Sequence, residues 1–277
     1  MTRAKSVSLG FIAAAFIGSA VFAQSAGDIY QGPPSSRRQH SPTNLSQEVN
    51  RKSSNDSLLM VEDKPRYSGR GTVSLHDLNH KVAAKALKEF ERAHRYVDAH
   101  KLEKAVEHFT NAVEIDAEFT DARNDLANCY IKLVRAGDAI RVLTAATSEG
   151  TGNALSYTNL AIAHMMLNDR HSAEEAARKG AEMDRLSTRP KLILALTLVM
   201  DDRFTDETTS LLRSAESDFP QAILLLGRAL AARGDIEGAK AKMTAYLASG
   251  EESGRGLAQE WLDSLNEFTN RTRAAVR

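Results

Sequence analysis

From about residue 86 to residue 251 the apolar positions recur every three or four residues, in blocks of about a dozen residues separated by short polar turns. That is the period of amphipathic helices. The blocks also return in pairs. Leu126, Ala127 and Tyr130 come back as Leu160, Ala161 and His164, and at the same interval upstream stand Ala93 and Tyr96, so the repeat is 34 residues long. The second block of each pair keeps phase through Ala105, Ala139 and Ala173, through Phe109, Leu143 and Ala177, and through Ala112, Ala146 and Gly180. Self-similarity at such a period marks a stacked helical array. Two antiparallel helices with short turns fill the interval, and small side chains at Ala93, Ala105, Ala127 and Ala139 are predicted where the helix axes cross, because they let the backbones approach. "RAGD", Arg135 to Asp138, is predicted to form the turn inside a pair, with a glycine that stops one helix and an aspartate that caps the next. "RGD" at 233–235 is predicted to form the same turn in a later pair.

The pattern thus predicts an all-α fold, an α-solenoid of about five helix-turn-helix units at 86–119, 120–153, 154–187, 188–219 and 220–251. In the fourth, Pro190 suits the first turn of a helix. However, "LILALTLVMDDRF" is apolar nearly all round, and Glu207 stands where the period places a small residue. Leu226, Gly227, Gly234, Asp235 and Ala239 restore the pattern in the fifth. The segment 252–277 carries Leu257, Ala258, Trp261, Leu262, Leu265 and Phe268 on one face and Gln259, Glu260, Asp263, Asn266 and Glu267 on the other. One apolar and one polar face is what a capping helix needs.

These residues resemble the tetratricopeptide repeat family. Ala93, Tyr96, Ala105, Phe109 and Ala112 match its motif in the first unit, and Leu126, Ala127, Tyr130, Ala139 and Ala146 match it in the second. The closing proline of the motif is replaced by Ala117, and its aromatic at Phe109 becomes Leu143 and then Ala177. The resemblance implies a concave groove, built from the first helix of each unit, that binds peptide segments or assembles complexes. Some relatives capture a C-terminal carboxylate with asparagines of two successive units and flanking basic residues. Asn128, Asn159 and Arg189 fall on matching places, whereas Asn124 and Ile193 replace two of the basic partners. The same faces in units three and four carry Ile162, Met165, Met166, Leu192, Leu196, Val199 and Met200. They either line an apolar groove, which methionines suit because they repack around varied ligands, or are buried against neighbouring helices.

Composition changes this picture little. The 277 residues are 42% hydrophobic and 26% charged, with 36 basic and 36 acidic side chains, so the balance favours neither nucleic acid nor an anionic membrane as partner. The N-terminus changes it more. Arg3 and Lys5 precede the apolar run Leu9 to Ala23, which reads as a signal peptide cleaved after Ala23; the run is shorter than the ~20 residues that span a bilayer. Residues 24–72 read as a disordered tether holding four of the six prolines, Pro33, Pro34, Pro42 and Pro65. Residues 73–85 read as an extended lead-in and the start of the first helix. The apolar island Leu58, Leu59 and Met60 in the tether is a candidate occupant of the groove. An exported chain with one cysteine, Cys129, forms no internal disulfide, and "LANCY" places that thiol as a packing residue.

Candidate chemistry is sparse. His76 and His80 stand four apart but lack a third ligand, and His94, His100, His108 and His171 are scattered at helical spacing. The sequence shows no phosphate loop, nucleophile elbow or cysteine cluster, so neither catalytic residues, metal nor cofactor are expected. The expected function is that of an exported, periplasmic or secreted, non-enzymatic scaffold. Its groove residues would be Asn124, Asn128, Asn159, Ile162, Met166, Arg189, Leu192 and Leu196, and its partner a protein or peptide segment, without nucleic acid and without stable membrane insertion. The alternative is a regulatory or carrier subunit of an envelope enzyme.

Overall fold

Helical hairpins follow directly from the 34-residue period, and the computed structural model contains them over residues 80–252 and 254–276, the part of the chain it describes. All eleven regular elements of the described residues are α-helices. The chain divides into two compact units at Asp218 and Phe219. The first holds α1 (Ala84–Asp98), α2 (Leu102–Ile115), α3 (Thr120–Lys132), α4 (Ala136–Ser148), α5 (Ala154–Met166), α6 (Arg170–Met183), α7 (Thr188–Met200) and α8 (Asp206–Ala215). These pair as four hairpins, and α2 also packs on α3, α4 on α5 and α6 on α7. The second unit holds α9 (Pro220–Ala232), α10 (Ile236–Ala248) and α11 (Arg255–Val276). The expected leader, the tether with Leu58 to Met60, and His76 lie outside the described residues.

The small-residue positions carry the packing. Ala93, Ala127, Ala161 and Ala195, 34 apart on α1, α3, α5 and α7, are all 0% exposed. Each second helix buries a triplet at i, i+4 and i+7, the spacing that keeps three side chains on one helix face. The triplets are Ala105, Phe109 and Ala112; Ala139, Leu143 and Ala146; Ala173, Ala177 and Gly180; Thr208, Leu212 and Ala215; and Ala239, Met243 and Tyr246. At Gly180 the approach is close: a Cβ would stand 3.0 Å from Thr158 Oγ1 and 3.2 Å from the carbonyl of Ala154.

The fourth hairpin corrects the expected register. Glu207 is not at the crossing; it is exposed, and Thr208 is buried in its place. Five residues, 201–205, link α7 to α8, where three link the helices of each other hairpin. α8 takes up one of the two extra residues by starting its buried triplet at the third helical residue, where the other second helices start at the fourth, and the other residue shifts the buried position from 207 to 208. The hydroxyl of Thr208 is satisfied inside the turn by donating to the carbonyl of Arg203 at 2.5 Å.

The turns themselves also differ from expectation. Gly137 and Asp138 of "RAGD" lie within α4, and Asp138 binds Arg135 and Arg141 instead of capping the helix. The turn is made one step earlier. Val134 adopts a left-handed φ of 59°, and the N–H of Arg135 returns to the carbonyl of Tyr130 at 2.8 Å. This six-to-one bond closes a helix end and requires a left-handed residue just before its donor. The same bond recurs from Lys101 to Tyr96, Asp169 to His164, Arg203 to Leu198 and Asp235 to Leu230. The left-handed residues are then His100, Asn168, Asp202 and Gly234. "RGD" does act as expected: Gly234 turns the chain, and Asp235 caps α10 by accepting from the N–H of Gly238 at 2.9 Å.

In the second unit α11 packs on α10. Ala258 and Leu265 are fully buried, and Lys240 Nζ donates to Thr269 Oγ1 at 2.7 Å across the two helices. The polar face of Gln259, Glu260, Asp263, Asn266 and Glu267 is exposed.

Candidate functional site

In the first unit α3, α5 and α7, the first helices of three successive hairpins, lie side by side. Helical spacing sets the candidate residues in stripes. On α3, Asn124 and Asn128 are one turn apart; on α5, Asn159, Ile162 and Met166 share a face; on α7, Arg189, Leu192 and Leu196 do. Their exposures differ sharply. Asn124 is 1% exposed, Asn159 3%, Ile162 6%, Leu192 1% and Leu196 6%, whereas Asn128, Met166 and Arg189 are half-exposed. Each helix therefore offers one residue of its stripe to solvent. Ile193, Val199 and Met165 are buried as well. The reason is visible in α7, which is apolar around its circumference and has α5, α6 and α8 packed against it.

Behind this face runs a polar seam that joins α3 to the connection between α4 and α5, residues 149–153, which the sequence reading missed. Thr120 Oγ1 donates to the carbonyl of Thr151 at 3.1 Å, Arg123 donates to Glu149 at 2.8 Å, and Asn124 Nδ2 donates to Asn153 Oδ1 at 3.2 Å. Asn153 is itself the N-cap of α5. It accepts from the N–H of Ser156 at 3.0 Å, while the N–H of Asn153 donates to Ser156 Oγ at 3.1 Å. Because Asn153 Oδ1 acts as acceptor, the Asn124 amide is fixed with its nitrogen toward Asn153. Its own Oδ1 is buried and receives no hydrogen bond among the described residues. The available signal in the sequence was the run Arg123-Asn124, two long polar side chains on a flank of α3 that the array must bury.

His80, His94 and His108 tie elements together, whereas His100 and His171 are exposed. His80 Nε2 bonds Asp116 at 2.9 Å, and the N–H of Ala83 donates to the same carboxylate at 2.9 Å. Burial opposes the charge of Asp116, yet these two contacts outweigh it and hold the carboxyl below its ordinary range. His94 Nε2 pairs with Asp125 at 3.0 Å, joining α1 to α3. That hydrogen bond raises the His94 pKa against partial burial. Among the described residues no three His, Cys, Asp or Glu side chains are grouped as metal donors. Cys129 is buried, and desolvation pushes its thiol up to about 12.

Comparison with known proteins follows the fold. Residues 96–150 match the tetratricopeptide repeat family. No curated protein sequence matches the chain. Among solved structures it is similar to MamA, at 16% identity over 62% of this chain and 94% of that one, with a TM-score of 0.51. It is also similar to YrrB, described as a TPR protein with an unusual peptide-binding site, at 18% identity over 65% and 91%, with a TM-score of 0.51. The pilF protein of Pseudomonas aeruginosa aligns at 15% identity over 68% and 91%, with a TM-score of 0.55. At these identities the likeness is one of fold.

Proposed function

The chain carries tetratricopeptide repeats, and from that premise we propose that it is an exported, non-enzymatic scaffold that binds an extended peptide segment across α3, α5 and α7. The observation that carries this reading is the stripe of part-exposed side chains, one on each of three adjacent first helices, on a face otherwise lined by buried residues. They are Asn128 on α3, Met166 on α5 and Arg189 on α7. Their chemistry suits a main chain held by an amide, an apolar side chain and an acidic or carboxylate group at the Arg189 end. The expected signal peptide places the scaffold outside the cytoplasm, and an intact mass of the secreted form beginning at Gln24 tests that part.

A photo-crosslinking residue placed at Asn128 or Met166 tests the site, with Lys179 on α6 as the control position. The reading expects one and the same partner peptide to be trapped from the first two positions and not from the third, with Arg189→Glu reducing its capture. Equal trapping from α6 overturns it.

A further inference from the structure

The first hairpin holds a second site on other residues. Arg92, Arg95, Tyr96 and Ala99 follow one another at i, i+3, i+4 and i+7 and so lie along one face of α1. Lys101, Lys104 and His108 form the matching stripe at the start of α2. Between the stripes is a cavity of about 350 Å³ lined by Arg92, Arg95, Tyr96, Ala99, Lys101 and His108. Its volume is within the range of small-molecule pockets. One end is built and internally neutralised. Tyr96 stacks flat on His108, with ring centroids 5.1 Å apart and planes at 6°. Glu89 binds His108 Nδ1 at 2.6 Å and Arg92 at 2.6 Å. His108 first, then Arg92, hold that carboxyl below its ordinary range. Lys104 Nζ stands 5.7 Å from the centre of the Tyr96 ring.

The other end is different. Arg95 and Lys101 line the same cavity and are exposed, and their side chains have no hydrogen-bond or ion-pair partner among the described residues. Three other arginines of this unit are paired across or along helices: Arg123 with Glu149, Arg170 with Asp201, and Arg178 with Glu174 and Glu207. Lys101 is also the N-cap residue of α2, and no side chain caps that helix. A planar guanidinium and a point-charge ammonium thus border one cavity. A phosphate monoester offers three oxygens and two negative charges, enough for each of these donors to take an oxygen of its own.

The geometry points to a binding site for a phosphate monoester in the α1–α2 cleft, with Arg95 and Lys101 taking the phosphate oxygens and the Tyr96–His108 stack forming the wall for the group that carries it. The site is separate from the peptide face of α3, α5 and α7. A free phosphorylated small molecule and a phosphorylated side chain present the same chemistry to it.

The full chain, titrated at physiological ionic strength with inorganic phosphate, free O-phosphoserine and a phosphoserine tripeptide, decides the matter by calorimetry and by amide shifts. The site requires saturable one-site binding of at least one probe, with shifts at Arg95, Lys101 and Leu102. It also requires a loss of roughly tenfold in affinity for Arg95→Gln and for Lys101→Gln, with no loss for Lys179→Gln and no change in melting temperature. Tighter binding of free phosphoserine than of the tripeptide assigns the site to a small molecule, and the reverse assigns it to a modified side chain. Absence of saturation with every probe up to ~20 mM, which corresponds to a free energy weaker than that of millimolar binding, overturns the proposal. So does binding that persists unchanged in the Arg95→Gln, Lys101→Gln double variant.

Discussion

Val134 has a φ of 59°, in the left-handed region, and its side chain is 71% exposed. A β-branched residue tolerates that conformation poorly, since its Cβ crowds the following carbonyl and buries nothing in return. Val134→Gly is expected to stabilise the protein by about 0.5–1 kcal/mol despite the added freedom of the unfolded chain, seen as a higher urea midpoint. The corresponding change at Asn168, a residue type that visits this region readily, is expected to have a smaller effect. Gly234 already occupies the same place in the fifth hairpin. At Cys129 burial dictates inertness: with its thiol held as a neutral group up to about 12, the native protein is expected to resist maleimide at pH 8 and to be labelled at once in urea. Rapid labelling of the folded form contradicts the packing role.

At the scale of elements, α11 contributes few fully buried side chains, and Leu265 is the largest of them. Leu265→Ala is expected to lower stability by about 2–5 kcal/mol, while Trp261→Ala, at a half-buried position, costs less; equilibrium denaturation with tryptophan-independent detection compares the two. The helices and their pairing were legible because small residues at 34-residue intervals have no other common cause than close helix crossings. The register of α8 was not legible, because period alone cannot tell a five-residue linker from a three-residue one, and threonine, once its hydroxyl donates to the Arg203 carbonyl, serves as a small residue. The "RAGD" turn misled for a related reason. Glycine is the usual left-handed residue, but here the chain spends Gly137 inside α4 and strains Val134 instead. At the candidate face the stripes could be placed from spacing, whereas the burial of Asn159, Ile162, Leu192 and Leu196 depends on which helices surround α5 and α7. The seam from Thr120 to Asn153 depends on contacts about 30 residues apart in the chain, beyond what a local pattern contains.

For the molecule as a whole, ionisation sets the pH window of stability. Glu89, Asp116, Asp138, Asp169, Glu174 and Glu207 all have carboxyl pKa values lowered from ordinary values of 3.8 or 4.5. Groups lowered on folding contribute stability that is present above their unfolded pKa and is lost as pH falls through the folded one. His94 acts in the opposite sense: its raised pKa contributes fully below 6.5 and is lost as pH rises through the folded value. Urea midpoints are therefore expected to climb between about pH 3 and 5, and to decline above about pH 6.5 by an amount that His94→Gln removes.

The contacts in the first unit run from each hairpin to its neighbour, and that order has a mechanical consequence. A load applied at the ends of the unit reaches each hairpin through the one beside it. Stretched between handles, the unit is expected to yield as a staircase instead of a single rupture. Each step frees one repeat and lengthens the stretched chain by on the order of 110 Å, and the Asn124–Asn153 bond, which joins the second hairpin to the cap of the third, breaks when those two part.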